Sequence, residues 1–158
     1  MMNKGFEVIE AHWLFGTELS QIDVTIHPQS IIHSMVQFVD GSIKAQLGLP
    51  DMKIPISYAL NYPERLYYDF QRLTIDKMSK LEFYEPDFQR YPCLRLSYES
   101  MERGGNSNAV LNASNEVCVA AFLEERISFI EINQIIEKTL SNIDYIENPD
   151  LNKLSKLT

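Results

Sequence analysis

Residues 31–47 read IIHSMVQFVDGSIKAQL, two alternating runs on either side of Asp40-Gly41. An Asp-Gly pair between such runs predicts a two-residue hairpin, because that turn requires positive φ at its central residues. Pairing across a two-residue turn sets Val36 opposite Ala45 and Phe38 opposite Ile43. One face is then apolar and is expected to bury against helices of the same chain. The other face carries His33, Met35, Gln37, Lys44 and Gln46. On this register His33 falls opposite Gly48, where the hairpin frays into the loop of Pro50 and Met52. That loop can form the rim of a site, although the pattern alone favours a solvent-facing polar surface.

Upstream, MMNKGFEVIEAHWLFG (1–16) enters a helix at once. Met2, Phe6, Ile9 and Trp13 recur at helical spacing and predict one apolar stripe, with Gly16 as the stop. Asn3, Glu7 and Glu10 line the other side beside Lys4. Val24 and Ile26 alternate in a short expected strand that ends at His27-Pro28.

Downstream, residues 63–90 are rich in Tyr, Pro and charge and read as a connector with one strand at Lys80–Tyr84. From Pro92 the pattern turns helical. Pro92 suits a helix first turn, and Leu94, Leu96 and Met101 follow up to Gly104-Gly105. A second helix carries Val110, Ala113, Val117, Ala120 and Ala121. Ser128 and Glu131 have the spacing of a capping box ahead of a stripe of Phe129, Ile132, Ile136 and Leu140. The fold expected is α+β: a sheet-and-helix part over 1–62, the connector over 63–90, and a mainly helical part over 91–158.

The net charge of −8 and a pI near 4.8 argue against nucleic acid and anionic membrane surfaces, which select basic patches. No apolar run is long enough to span a bilayer. Cys93 and Cys118 lack metal-ligand spacing, and Cys118 among Val117, Val119, Ala120 and Ala121 reads as a buried small hydrophobe. These features together favour a reducing cytoplasm.

Two groups of residues are candidates for chemistry. Asn3, Lys4, Glu7 and Glu10 gather an amide, a cation and two carboxylates near one helix end. A Lys beside an Asn can hold a phosphate, and a carboxylate one turn on can ligate a hard divalent cation. The bland alternative is a solvated face with an ordinary i,i+3 pair. His12, His27 and His33 form no metal cluster in the sequence, and no phosphate-loop or dinucleotide fingerprint is present. Asn112, Ser114, Asn115 and Glu116 interrupt the second C-terminal helix with polar groups.

Four stretches resemble the 1-deoxy-D-xylulose 5-phosphate reductoisomerase family: MMNKGFEVIEAHWLF at the start, Ile26–Met52, YPCLRL at 91–96, and AVLNASNEVCVAAFL at Ala109–Leu123. The resemblance runs from Met1 to about Pro149. It implies an enzyme that rearranges and reduces 1-deoxy-D-xylulose 5-phosphate to 2-C-methyl-D-erythritol 4-phosphate for isoprenoid synthesis. NADPH and Mg²⁺ or Mn²⁺ are its cofactors, and a cytoplasmic homodimer is the assembly it implies. It further implies that Asn3 and Lys4 bind substrate and that Glu7 binds metal and substrate. The resemblance also implies that His33 lies at the catalytic site and that Pro50 and Met52 lie in the loop that closes on it. In the family a Rossmann NADPH-binding domain and the rest of the catalytic domain precede these residues. The chain therefore reads as a fragment without that domain or an NADPH site, and alone is expected to be inactive. The rival reading is a noncatalytic subunit that dimerises or complements a separately made N-terminal half.

Overall fold

The computed structural model describes residues 1–154; residues 155–158, the end of the expected helical part, lie outside the described residues. Two compact units are present. One joins Met1–Val24 to the residues from Pro86 onward, and the other is Thr25–Glu85. Together they make an α+β chain.

The helical unit contains α1 (Met2–Phe15), α3 (Pro92–Arg103), α4 (Ser107–Leu123), α5 (Phe129–Asn142) and the short α6 (Leu151–Leu154). The second unit contains β1 (Ile32–Gln37), β2 (Ile43–Leu47) and α2 (Lys53–Asn61). The core of the helical unit is Leu96, Val110, Leu111, Cys118, Ile132, Ile136 and Leu140, with Met2, Phe6 and Ile9 of α1 against it. Compactness therefore groups α1 with the C-terminal helices. No described helix is long and apolar enough to cross a membrane.

The helix boundaries follow the expected signals. Gly16 takes a left-handed φ of 64° and donates its N–H to the His12 carbonyl, which closes α1. Pro92 opens α3. The Ser128 hydroxyl and Glu131 carboxylate form the reciprocal box at the start of α5. The buried faces differ from the expected stripes at three places. Trp13 is 72% exposed, and α1 buries Gly5 and Val8 instead. In α4, Val117 is exposed while Leu111 and Cys118 are buried. In α5, Phe129 points outward and leaves Ile132, Ile136 and Leu140 as the stripe. The core here selects by close approach as much as by hydrophobicity, which is how a glycine displaces a tryptophan from the contact face.

The expected strands at Val24–Ile26 and Lys80–Tyr84 reduce to one antiparallel bridge between Ile26 and Tyr84. Two reciprocal backbone bonds of 2.8 and 2.9 Å make it. Conversely, α2 forms in a stretch with no predicted helix. Pro55 sits in its first turn, where no intrahelical N–H donor is needed.

The hairpin forms, but its register is not the expected one. Met35 pairs with Ala45, Val36 with Lys44, and Gln37 with Ile43. The loop has three residues, Val39-Asp40-Gly41, because Phe38 and Ser42 still bond across it. Gly41 N–H donates to the Phe38 carbonyl and Gly41 takes φ 84°. This is a turn followed by a left-handed glycine, the usual three-residue hairpin loop. The Asp40 carboxylate accepts the Ser42 N–H at 2.9 Å and hydroxyl at 2.6 Å. Those bonds from Ser42 hold the Asp40 carboxyl below the usual carboxylate range.

A one-residue slip exchanges the faces of one strand. Val36 and Phe38 therefore share a face with Lys44, whose Nζ lies 5.4 Å from the Phe38 ring centroid. Ile43 and Ala45 go with Met35 and Gln37 instead. The expected burial is also corrected, since Val36 is 58% and Phe38 44% exposed. No clean apolar face exists for a helix to cover. Gly41→Ala should cost the hairpin about 1–2 kcal/mol, the penalty for a Cβ in left-handed backbone. Faster hydrogen exchange at the Phe38 amide, with α3–α5 amides unchanged, would report it.

Candidate functional site

The first group of candidate residues sits on α1. Asn3, Lys4 and Glu7 are all exposed and meet one turn into the helix. Asn3 Nδ2 donates to Glu7 Oε1 at 2.8 Å, and Lys4 Nζ pairs with Glu7 Oε2. The i,i+4 and i,i+3 spacings bring these groups together. Both Glu7 oxygens are thus held, while the remaining amide and ammonium donors face solvent. Glu10 is exposed on the same helix.

What keeps this face outward is the opposite side of α1. Gly5 and Val8 are buried. A Cβ on Gly5 would stand 2.6 Å from Ser97 Cβ of α3, so only hydrogen fits there. That close approach fixes the rotation of α1, and with it the direction of Asn3, Lys4 and Glu7.

The second group lies in the other unit. His33 is the irregular residue of β1, because pairing shifts between Ile32 and Ser34. A bulge leaves one residue out of the ladder and re-aims its side chain. The His33 ring here lies beside Gly48, where an added Cβ would be 3.7 Å from Nε2. Proximity to Gly48 agrees with the sequence reading, though it arises from the bulge and not from the expected register. Gly48 N–H donates to the Ile31 carbonyl at 3.0 Å, which fixes the start of the Pro50–Met52 loop. Pro50 is exposed, and Met52 is an exposed N-cap of α2. The Asp51 carboxylate accepts the Lys53 N–H at 2.9 Å and shapes the turn into α2.

Sequence reasoning passed over the clamp that holds the segment leading to His33. His27 Nδ1 donates to the Glu82 carbonyl at 2.8 Å, and its ring stacks on Phe83 with centroids 4.7 Å apart. Gln29 is bonded twice to Glu82, donating to the carboxylate and accepting the backbone N–H. Lys80, then Gln29 and Tyr84, hold the Glu82 carboxyl below the usual carboxylate range, and Glu82 in turn raises Tyr84. Ser30 then takes a left-handed φ of 50°, unusual for a residue with a side chain. The only sequence signal for this clamp was Gln29 and Glu82 as polar residues near apolar neighbours, which is too common to single out.

In α4 the polar interruption resolves locally. Asn112 Nδ2 donates to Glu116 Oε1 at 3.2 Å, and the Ser114 hydroxyl bonds to the Val110 and Leu111 carbonyls. Among the described residues no group of three or more His, Cys, Asp or Glu could hold a metal ion. Glu7 offers one carboxylate, and a hard cation takes six or more oxygens. The residues present do not make a metal site by themselves.

The family described as the DXP reductoisomerase C-terminal domain matches residues 47–158. The chain is 56% identical over 149 residues to the 1-deoxy-D-xylulose 5-phosphate reductoisomerase of Bacteroides fragilis, covering 94% of this chain and 38% of that protein. It is 58% identical over 144 residues to the enzyme of that name from Chloroherpeton thalassium, covering 91% and 37%. Among solved structures, the Zymomonas mobilis reductoisomerase in complex with NADPH aligns with a TM-score of 0.91 at 44% identity. That alignment covers 99% of this chain and 42% of the other. A reductoisomerase in complex with NADPH, fosmidomycin and magnesium aligns with a TM-score of 0.87 at 44% identity, covering 90% and 35%. The chain thus spans well under half the length of the relatives it matches.

Proposed function

The chain belongs to the DXP reductoisomerase C-terminal domain family, and from that premise we propose that it carries part of the active site of a 1-deoxy-D-xylulose 5-phosphate reductoisomerase. The reaction is rearrangement of the sugar phosphate and its reduction with NADPH to 2-C-methyl-D-erythritol 4-phosphate. The observation that carries the proposal is the meeting of Asn3, Lys4 and Glu7 on one exposed turn of α1. An amide and an ammonium facing solvent suit an anionic phosphate or hydroxyl oxygens.

Asn3 and Lys4 bind substrate in this reading. Glu7 supplies one carboxylate to a divalent-metal site whose other ligands come from outside these residues. A bound Mg²⁺ or Mn²⁺ would polarise the substrate carbonyl. His33, at the bulge, lies against bound substrate, and Pro50 and Met52 form the loop that covers it. Residues 1–62 then belong to the catalytic domain, 63–90 to a connector and 91–158 to the C-terminal helical domain. The NADPH site is assigned outside this chain, which has no dinucleotide fingerprint. A homodimer and a cytoplasmic location complete the proposal.

The test replaces the matching segment of the Bacteroides fragilis enzyme with residues 1–149 of this chain. Glu7→Gln should raise the metal concentration needed for half-maximal rate, and Lys4→Ala should raise KM for the sugar phosphate more than it lowers kcat. Kinetics unchanged by both substitutions would defeat the residue assignments. The 158 residues alone should show no substrate-dependent NADPH oxidation; turnover abolished by Glu7→Gln would overturn that expectation.

A second reading has an observation of its own. Trp13, Leu14 and Phe15 stand exposed in sequence at the end of α1, a patch that suits docking onto a separately made polypeptide. Coexpression with the preceding part of a relative, followed by copurification and activity, distinguishes this complementing role from a covalently continuous enzyme.

A further inference from the structure

One cavity lies wholly inside the second unit and shares only Gly48 with the groups above. It has a volume of about 460 Å³ and lies between the end of β2, α2 and the segment 64–73. Its wall is apolar at Leu49, Ile54, Leu66 and Tyr67, and Arg65 and Arg72 also line it. The volume is within the range of sites that hold small organic ligands.

The arginines are the unusual feature. The chain has 22 acidic against 14 basic residues. Neither Arg65 nor Arg72 makes an ion pair among the described residues. Each guanidinium lies over a tyrosine instead, Arg65 at 4.0 Å from the Tyr58 centroid and Arg72 at 5.4 Å from that of Tyr67. A ring contact of this kind satisfies none of the guanidinium N–H donors, which can therefore hydrogen-bond an anion. Glu64, which also lines the cavity, is the opposing charge; two cations against one carboxylate leave a net attraction for a monoanion.

We propose that this cavity is a binding site for a small anionic amphiphile, an apolar chain or ring ending in a phosphate, sulfonate or carboxylate. The apolar body lies against Leu49, Ile54 and Leu66, and the anion meets the edges of Arg65 and Arg72. The ligand is taken free from solution, since a net charge of −8 repels an anionic bilayer. Leu47, Gly48 and Leu49 form part of the same wall and lead directly into Pro50.

The probe is monomeric octyl phosphate, with octanol and inorganic phosphate as its two halves, titrated calorimetrically into the chain and into the grafted enzyme described above. Saturable one-to-one binding is expected, with each half binding at least about tenfold more weakly, since a charge-assisted contact contributes roughly one decade of affinity. Arg65→Gln with Arg72→Gln should weaken octyl phosphate by about tenfold or more while leaving octanol unaffected. An unchanged melting temperature identifies the double variant as folded, and Ile54→Trp, which fills the apolar end, gives an independent block. Equal binding of octanol, no loss in either variant, or no saturable binding would overturn the proposal. Binding to the chain but not to the grafted enzyme would overturn it too, because polypeptide would then cover the cavity. So would cosedimentation with phosphatidylglycerol vesicles in the absence of octyl phosphate binding.

Discussion

Gly5→Ala should destabilise the helical unit by about 1–3 kcal/mol, the cost of forcing extra volume into a closed contact. The sign is the informative part. Replacing glycine by alanine inside a helix ordinarily stabilises by roughly 1 kcal/mol, so intrinsic propensity predicts the opposite. Packing wins here because the new Cβ would stand 2.6 Å from Ser97 Cβ, and closer still to its hydroxyl. Ser97 is fully buried and its Oγ bonds to the Cys93 carbonyl at 2.9 Å, so it cannot swing aside. The helices must separate instead. Urea unfolding followed by circular dichroism measures the loss, and Ser97→Gly in the same chain should restore most of it. A more stable Gly5→Ala chain would show that α1 and α3 do not approach as described. On the proposed substrate-binding role of Asn3 and Lys4, the substitution should also raise KM in the grafted enzyme, since α1 rotates with any separation.

Gly5 illustrates what the sequence hid. A periodicity argument scores apolar side chains, and on that score Trp13 outranks a glycine. The contact face was chosen by backbone approach, which no hydropathy pattern records. The α+β class, the three long C-terminal helices and their caps were legible because capping chemistry is local: Gly16, Pro92, and Ser128 with Glu131 each act within one turn. The hairpin was legible as a hairpin but not in register. Asp-Gly serves both a two-residue loop and a three-residue loop ending in a left-handed glycine, and the choice decides every cross-strand pair. Here Ser42 bonds to the Asp40 carboxylate and favours the longer loop. The meeting of the α1 side chains was readable from spacing alone, since Asn3 and Lys4 stand four and three residues before Glu7. His33 beside Gly48 was reached by the wrong register, and the bulge that places it depends on pairing that only the folded hairpin shows.

The second large effect is expected at Asn106. Its side chain is 1% exposed and joins the start of α4 to the segment after α5. Nδ2 donates to the Asp144 carbonyl at 3.0 Å, and Oδ1 accepts the Ile146 N–H at 3.1 Å. The Asn106 N–H also donates to the Ile146 carbonyl at 3.0 Å. Gly105 permits this approach, since it takes φ 57° and a Cβ there would lie 2.5 Å from the Ile146 oxygen. Asn106→Leu is nearly isosteric, yet it strands a buried donor and a buried acceptor, each costing about 1–3 kcal/mol. The expected loss is therefore roughly 2–4 kcal/mol. Asn106→Asp separates the two bonds. The carboxylate still accepts from Ile146, but its second oxygen faces the Asp144 carbonyl and repels it, while burial also opposes the charge. Both effects raise the folded pKa of the new carboxyl above its unfolded value of about 3.9. A raised folded pKa means that the protonated form, which can donate to Asp144, is the stable one. Relative to the parent chain, Asn106→Asp should thus be least destabilised below about pH 4 and increasingly so as pH rises through the raised folded pKa. Urea midpoints of parent and variant at several pH values measure this difference. A pH-independent difference, or one of opposite sign, would show that the Asn106 amide does not donate to the Asp144 carbonyl.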